Sequence, residues 1–310
     1  MKKEKDKELI NELSPARRLR QNDTIWSKIF DVVNVIFLSF TAFITIAPFI
    51  YVFSCSVATE QEILTRKFFL IPHTFQLESY KYIFSSITLP RAFGNTVFIT
   101  LVGTALAMFL TVTLAYPLSK KRLWGRSTLL SLISFTLVFS GGMIPTFLVI
   151  KGLHMIDSFT ALIIPGALST WNMIVIKNFF QDMPAELEDA AKIDGASDLT
   201  ILGRIALPLS KPMLATFSLF YAVGYWNSYT NALLYINDNK KWTLQIMLRQ
   251  IIMLANGAID GSEYDELATL PPAESVKMAV IVFGTLPILL VYPFLQKHFA
   301  KGVLVGAVKG

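Results

Sequence analysis

Residues 32–59 read VVNVIFLSFTAFITIAPFIYVFSCSVAT, twenty-eight positions without Asp, Glu, Lys, Arg or His. A helix needs about 20 mainly apolar residues to cross the hydrocarbon core of a bilayer. Within 32–51, twelve positions are Val, Ile, Leu or Phe. At about −0.3 to −0.6 kcal/mol each, they favour insertion by roughly 4–7 kcal/mol, and no charge offsets this. A strand of that length would be unusual, and outer-membrane strands alternate apolar with polar residues, which this run does not. The whole chain agrees with its first apolar run. Charged residues make up 16% of its 310 positions, against roughly 25% in an average soluble protein. Mean hydropathy is +0.52. Such a composition excludes disorder for most of the chain, and the single Cys55 excludes a disulfide scaffold.

Five further runs lack charge: 92–119, 127–150, 158–176, 212–237 and 278–296. The six together predict six transmembrane helices. With an even number of crossings both ends lie on one side. Residues 1–31, 120–126, 177–211 and 297–310 then carry nineteen Lys and Arg, and the opposite side carries nine. The positive-inside rule places both termini in the cytoplasm. The net charge of +6 thus reads as topology, so no nucleic-acid partner is expected. The N-terminal stretch mixes eight basic residues with acidic ones before a run far longer than a signal-peptide core, so no cleaved signal is expected. Arg17, Arg18 and Arg20 fit orientation or contact with anionic lipid.

None of the six runs holds an ionisable side chain. Proton relays and voltage sensors put such groups inside the membrane, so proton coupling is not expected. A sodium site built from carbonyls is less firmly excluded. His73, His154 and His298 have no metal-ligand spacing, and no GxSxG or GxxxxGK[ST] motif occurs. No metal site or catalytic residue is expected, and any ATP must be bound by another chain.

The segment Met183–Pro208 is the most informative cytoplasmic stretch. Pro184 suits the first position of a helix, Glu186, Glu188 and Asp189 its positive N-terminal end, and Gly195 its C-terminal cap. Leu187, Ala190, Ala191 and Asp194 share one face. Ser197 can cap a second short helix with Ile201, Leu202 and Ile205, which Pro208 ends. This shallow face suits docking of a partner. A helix lying on lipid is the alternative, but such helices are usually rich in Lys and Arg, and this segment is acidic.

These residues resemble the EAA loop of the membrane subunits of binding-protein-dependent ABC importers. The motif appears as Asp189-Ala190-Ala191, then Gly195, then Ile205-Ala206-Leu207-Pro208, with Glu188 beside the Asp that replaces the usual Glu. Gly141-Gly142-Met143-Ile144-Pro145 and Trp226-Asn227 look like the carbohydrate-uptake branch, the complex-oligosaccharide type. The resemblance implies an all-α integral membrane protein of the MetI-like permease fold, with cytoplasmic coupling helices. It divides the chain into a tail 1–31, a permease domain 32–296 with outer loops 55–91 and 238–277 and a coupling loop 177–211, and a tail 297–310. It further implies half of an oligosaccharide pore in the cytoplasmic membrane. The partners would be a second, usually different, permease chain, two ATPase subunits holding ATP and Mg²⁺, and an extracellular lipoprotein or periplasmic sugar-binding protein. Glu188, Asp189, Ala190, Ala191, Asp194, Gly195 and Pro208 would carry the coupling.

For the substrate path, the polar face Gly224, Asn227, Ser228, Asn231 and Tyr235 stands out, with Tyr225 and Trp226 beside it. Amides bond sugar hydroxyls, and aromatic rings pack on pyranose C–H faces. An interfacial aromatic belt with Asn joining helices is the alternative. Gly141, Gly142 and Pro145 should bend or unwind the third run, either as a packing kink or to free carbonyls for a cavity. Segment 256–266 of the second outer loop is a candidate contact for the binding protein. A self-contained secondary carrier or channel is the rival function. An intramembrane enzyme lacks its catalytic groups.

Overall fold

The computed structural model describes residues 24–66, 68–85, 87–255 and 274–307, with side chains except at 255, 292 and 294–307. The Arg17–Arg20 cluster and segment 256–266 therefore lie outside the described residues.

Thr24 caps the first helix, α1 (Ile25–Ser56), by accepting the Ser27 N–H at 3.4 Å. Its 32 residues span about 48 Å at 1.5 Å each. Nearly all of its length is exposed, with only Ser54, Cys55 and Ser56 buried. There Cys55, Ala58 and Phe69 form a small core with Tyr51, Ile63 and Met278. The Glu62 carboxylate of α2 (Glu60–Thr65) accepts the His73 N–H at 2.9 Å and the Arg66 guanidinium at 2.6 Å. The His73 bond, chiefly, with the Arg66 and Thr74 bonds holds its pKa at about 2.

A short α3 (Glu78–Ser85) leads into α4 (Thr88–Ser119), the central helix. α5 (Arg126–Val138) and α6 (Met143–Gly152) follow at 117° to each other. Gly142 makes that turn with φ +82°, a backbone conformation side chains disfavour. The Gly141–Gly142 signal is thus a break in the helix. Next come α7 (Thr160–Ile163) and α8 (Thr170–Gln181). The apolar run 158–176 is accordingly two helices. Pro165 lacks an N–H and Gly166 loses the most backbone freedom in a helix, so the first helix stops at Ile163, just before them, and the second starts after its Ser169 cap.

α9 (Ala185–Ile193) and α10 (Asp198–Ile201) form the elbow segment. A π-turn (Leu202–Ala206) and α11 (Leu207–Leu209) then lead to Ser210, where the chain turns by 83° into α12 (Lys211–Trp226). Pro208 does not end the second helix as expected. The π-turn closes with Leu207 N–H on the Leu202 carbonyl, and this wider turn accommodates a ring that would clash one α-turn back. After α12 come α13 (Tyr229–Tyr235), a 3₁₀ turn (Asn239–Lys241), α14 (Leu244–Ala255) and the long α15 (Glu274–Ala307). Glu60 caps α15 by accepting the Glu274 and Ser275 N–H groups at 3.0 and 3.1 Å.

The described residues are helical, with no strand among them. α1, α4 and the Glu274–Val291 part of α15 are each long and apolar enough to cross a membrane. The two bent pairs raise the number to five if each is one crossing. α12, α8, α14 and α7 pack on α4, and α15 packs on α1, α12 and α14. One core cluster around Ala107, Leu162 and Tyr225 fills the half far from the elbow. A second around Ala115, Met173, Ile176 and Phe180 fills the half beside it.

Candidate functional site

Local signals explain the shape of the elbow. α9 ends on Gly195 with φ +80°. Ala196 N–H reaches the Ala191 carbonyl at 2.9 Å and Gly195 N–H reaches Lys192 at 3.0 Å, the two bonds of a Schellman cap. Pro184 stands at the N-cap, one position before the expected first turn. Ser197 caps α10 by accepting the Thr200 N–H at 3.3 Å.

Charge fastens the elbow to the turn that follows α4. Glu188 forms ion pairs with Lys120 and, at 2.7 Å, with Lys192, and Arg122 lies 3.8 Å from it. Arg122 also pairs with Asp198. Burial raises the Glu188 pKa, but the Lys120 and Lys192 hydrogen bonds outweigh that and hold it below the ordinary value. Of the two adjacent carboxylates, Glu188 thus braces the chain internally and Asp189 stays exposed. The expected small-residue face divides as well. Ala191 is buried, whereas Leu187, Ala190 and Asp194 are exposed. Beside them Ile193 is 87% and Leu199 81% exposed. Sequence reasoning missed the Glu188–Lys120 pair, whose members lie 68 residues apart.

The residues expected to line a path behave differently from one another. Tyr225 is buried, donates to the Ile163 carbonyl at 2.9 Å, and fills the notch at Gly103, where a Cβ would lie 2.7 Å from its ring. Trp226 is buried too, donates from its indole N–H to the Gly284 carbonyl at 3.2 Å, and meets Phe93 edge-on. Both rings are core in this chain. One turn earlier the Tyr221 hydroxyl accepts the Ser169 N–H at 3.1 Å and lies 2.8 Å from Thr111 Oγ1. The supposed continuous face is broken because α12 ends at Trp226 and α13 begins at Tyr229. Gly224, Asn227 and Asn231 are exposed, while Tyr235 is buried against Phe147. Gly141 and Gly142 are exposed at their bend.

At the far end of α12 lies a cavity of about 590 Å³. It is bounded by Asn227, Tyr229, Gln245, Leu248 and Arg249, with Ile281 and Ile288 of α15. Gln245 donates to the Asn227 amide oxygen at 3.4 Å, and the Arg249 guanidinium lies 5.4 Å from the Tyr229 ring centre. α14 comes this close to α15 because residue 284 is Gly: a Cβ there would stand 2.5 Å from Leu248 Cδ1. Gln245 and Arg249 were not singled out from sequence. The available signal was the amphipathic spacing of Leu244, Met247, Leu248 and Ile251, with Gln245 and Arg249 off that stripe. Nearby, Asp157 accepts the Asn237 and Asp238 N–H groups at 3.1 and 3.0 Å and pairs with Lys241 at 2.9 Å. Among the described residues no three His, Cys, Asp or Glu gather where they could hold a metal.

Comparison with known proteins bears on both regions. The family model described as "Binding-protein-dependent transport system inner membrane component" matches residues 16–305. "Protein LplC" of Bacillus subtilis strain 168 is 54% identical over 289 residues, covering 93% of this chain and 98% of that protein. The "Polygalacturonan/rhamnogalacturonan transport system permease protein YtcP" of the same strain is 51% identical, covering 92% and 99%. Among solved structures, a chain of "a bacterial ABC transporter involved in the import of the acidic polysaccharide alginate" superposes with a TM-score of 0.82 at 33% identity, covering 89% of this chain and 99% of that one.

Proposed function

The chain belongs to the family of inner membrane components of binding-protein-dependent transport systems, and from that premise we propose that it forms half of an oligosaccharide-importing pore. It is a multi-pass membrane protein whose energy comes from another subunit. In this reading six crossings leave both termini in the cytoplasm. A second, different permease chain completes the pore. Two ATPase subunits carrying ATP and Mg²⁺ dock at the two elbows, and an extracellular or periplasmic binding protein delivers the glycan. The cargo class is supported by relatives whose names specify polygalacturonan, rhamnogalacturonan and arabinooligosaccharides.

One observation carries the docking role. The elbow turns Glu188 and Ala191 inward and leaves Leu187, Ala190, Ile193 and Asp194 outward. Exposed apolar side chains on an internally braced helix suit a protein partner, and the exposed Asp189 and Asp194 beside them offer that partner charges to pair with. The absence of ionisable groups from the apolar runs fits the same division of labour. The test is Ala190→Trp in the co-expressed transporter. The permease should insert and retain its partner permease, whereas ATPase co-purification and glycan uptake should fall about tenfold or more, as for a clash at an interface centre. Normal ATPase retention and transport would show that docking occurs elsewhere.

A further inference from the structure

The cavity at the far end of α12 combines an apolar wall, two amides and a guanidinium. We propose that Arg249, with Asn227 and Gln245, forms a subsite for a carboxylate-bearing sugar unit, a uronate, on the translocation path. This assignment rests on the oligosaccharide-import reading and adds to it the charge of the cargo and the residues that recognise it.

Volume and placement come first. About 590 Å³ lies within the range of small-ligand sites. The space opens beside the break between α12 and α13, at the opposite end of α12 from the elbow. It is bounded by α14 and α15.

The lining has the chemistry of a sugar site. Leu248, Ile281 and Ile288 offer an apolar surface to the C–H face of a pyranose ring. The Asn227 and Gln245 amides engage each other through a single 3.4 Å contact. Each amide has two N–H donors and a carbonyl with two lone pairs, so most of their capacity is left for hydroxyl groups.

Arg249 supplies the selectivity. Its guanidinium sits over the Tyr229 ring. The side chain is exposed beside the cavity, and its planar fork carries five N–H donors. That fork matches a carboxylate in two parallel bonds. No Asp or Glu among the described residues lies within 4.0 Å of it, unlike Lys241 at the same end, which pairs with Asp157 and Asp238. A neutral glycan would present only hydroxyls to this cation.

The experiment uses the complete transporter, with its partner permease, ATPases and binding protein, in proteoliposomes. The probes are trigalacturonate and its fully methyl-esterified form, the same sugar without charge. Arg249→Gln should raise the KM for trigalacturonate about tenfold or more, the scale of a charge-assisted hydrogen bond, with kcat and subunit assembly retained. Uptake of the ester should change less than twofold. Arg249→Lys keeps the charge without the fork and should fall between the two. An unchanged KM for the acid, equal losses for both probes, or a fall in kcat alone would overturn the subsite. A wild type that takes up the ester but not the acid would also overturn it and leave glycan import standing. A wild type that transports neither probe would overturn the subsite, and failure to take up arabinooligosaccharides in the same vesicles as well would overturn glycan import.

Discussion

Glu188 and Arg249 mark the two ends of α12, and their surroundings are opposite. Glu188 sits among basic partners: Lys120, Lys192 and, more distantly, Arg122. Arg249 leans on a ring beside an open cavity and has no ion-pair partner among the described residues. A charge whose partners come from its own chain stabilises that chain. A charge without such partners is available to something that arrives from outside. The first end therefore reads as framework presenting an apolar face, and the second as a recognition surface.

Three measurements sharpen or break that contrast. The largest effect belongs to Glu188→Gln, which leaves Lys120 and Lys192 facing each other across a mostly buried site. Loss of about 1–3 kcal/mol is expected, between the values for exposed and buried pairs. Thermal unfolding of the detergent-solubilised complex, with proteolysis at residues 183–208, reads it. If unfolding is unaltered, the brace is decorative and the contrast fails.

Acid is the second probe. The Glu188 pKa lies below its ordinary value of about 4.5 in the folded chain. Its contribution is therefore complete above that value and is lost as pH falls through the depressed one. Proteolysis at the elbow should accelerate below pH 4.5 in the wild type and depend much less on pH in Glu188→Gln. Equal acid sensitivity in both would assign the loosening to other carboxylates.

The smallest effect is expected at the other end. Arg249→Gln should shift stability by no more than about 0.5 kcal/mol, as for an exposed side chain away from the core. The same unfolding assay measures it. A loss comparable to that of Glu188→Gln would make Arg249 a structural residue and remove the contrast.

Legibility in the sequence followed the range of the interactions. The apolar class of the chain, the bend at Gly141–Gly142, the helix at 185–193 and its Gly195 stop were all readable, because insertion, φ > 0 and capping depend on neighbours within a turn. The direction in which α9 faces was not. Glu188 turns inward to meet Lys120 and Ala191 is buried on the same side, which no local pattern announces. Tyr225 and Trp226 were ambiguous for a similar reason. An aromatic residue near a span end fits a belt, a pore or a core equally well, and here Gly103 and the Gly284 carbonyl decide for the core. The run 158–176 was uncharged enough to count as one crossing, but Pro165 and Gly166 interrupt it, a punctuation that hydropathy outweighed.

The two tyrosines of α12 have a mechanical consequence. Tyr225 grips the last residue of α7, and Tyr221 grips the cap of α8, one on each side of the unwound stretch Ile164–Ser169. The gap in the fourth segment is thus bolted at both rims to the fifth. A tilt of α12 would pull on both rims through these two bonds, gearing the fourth segment to the fifth.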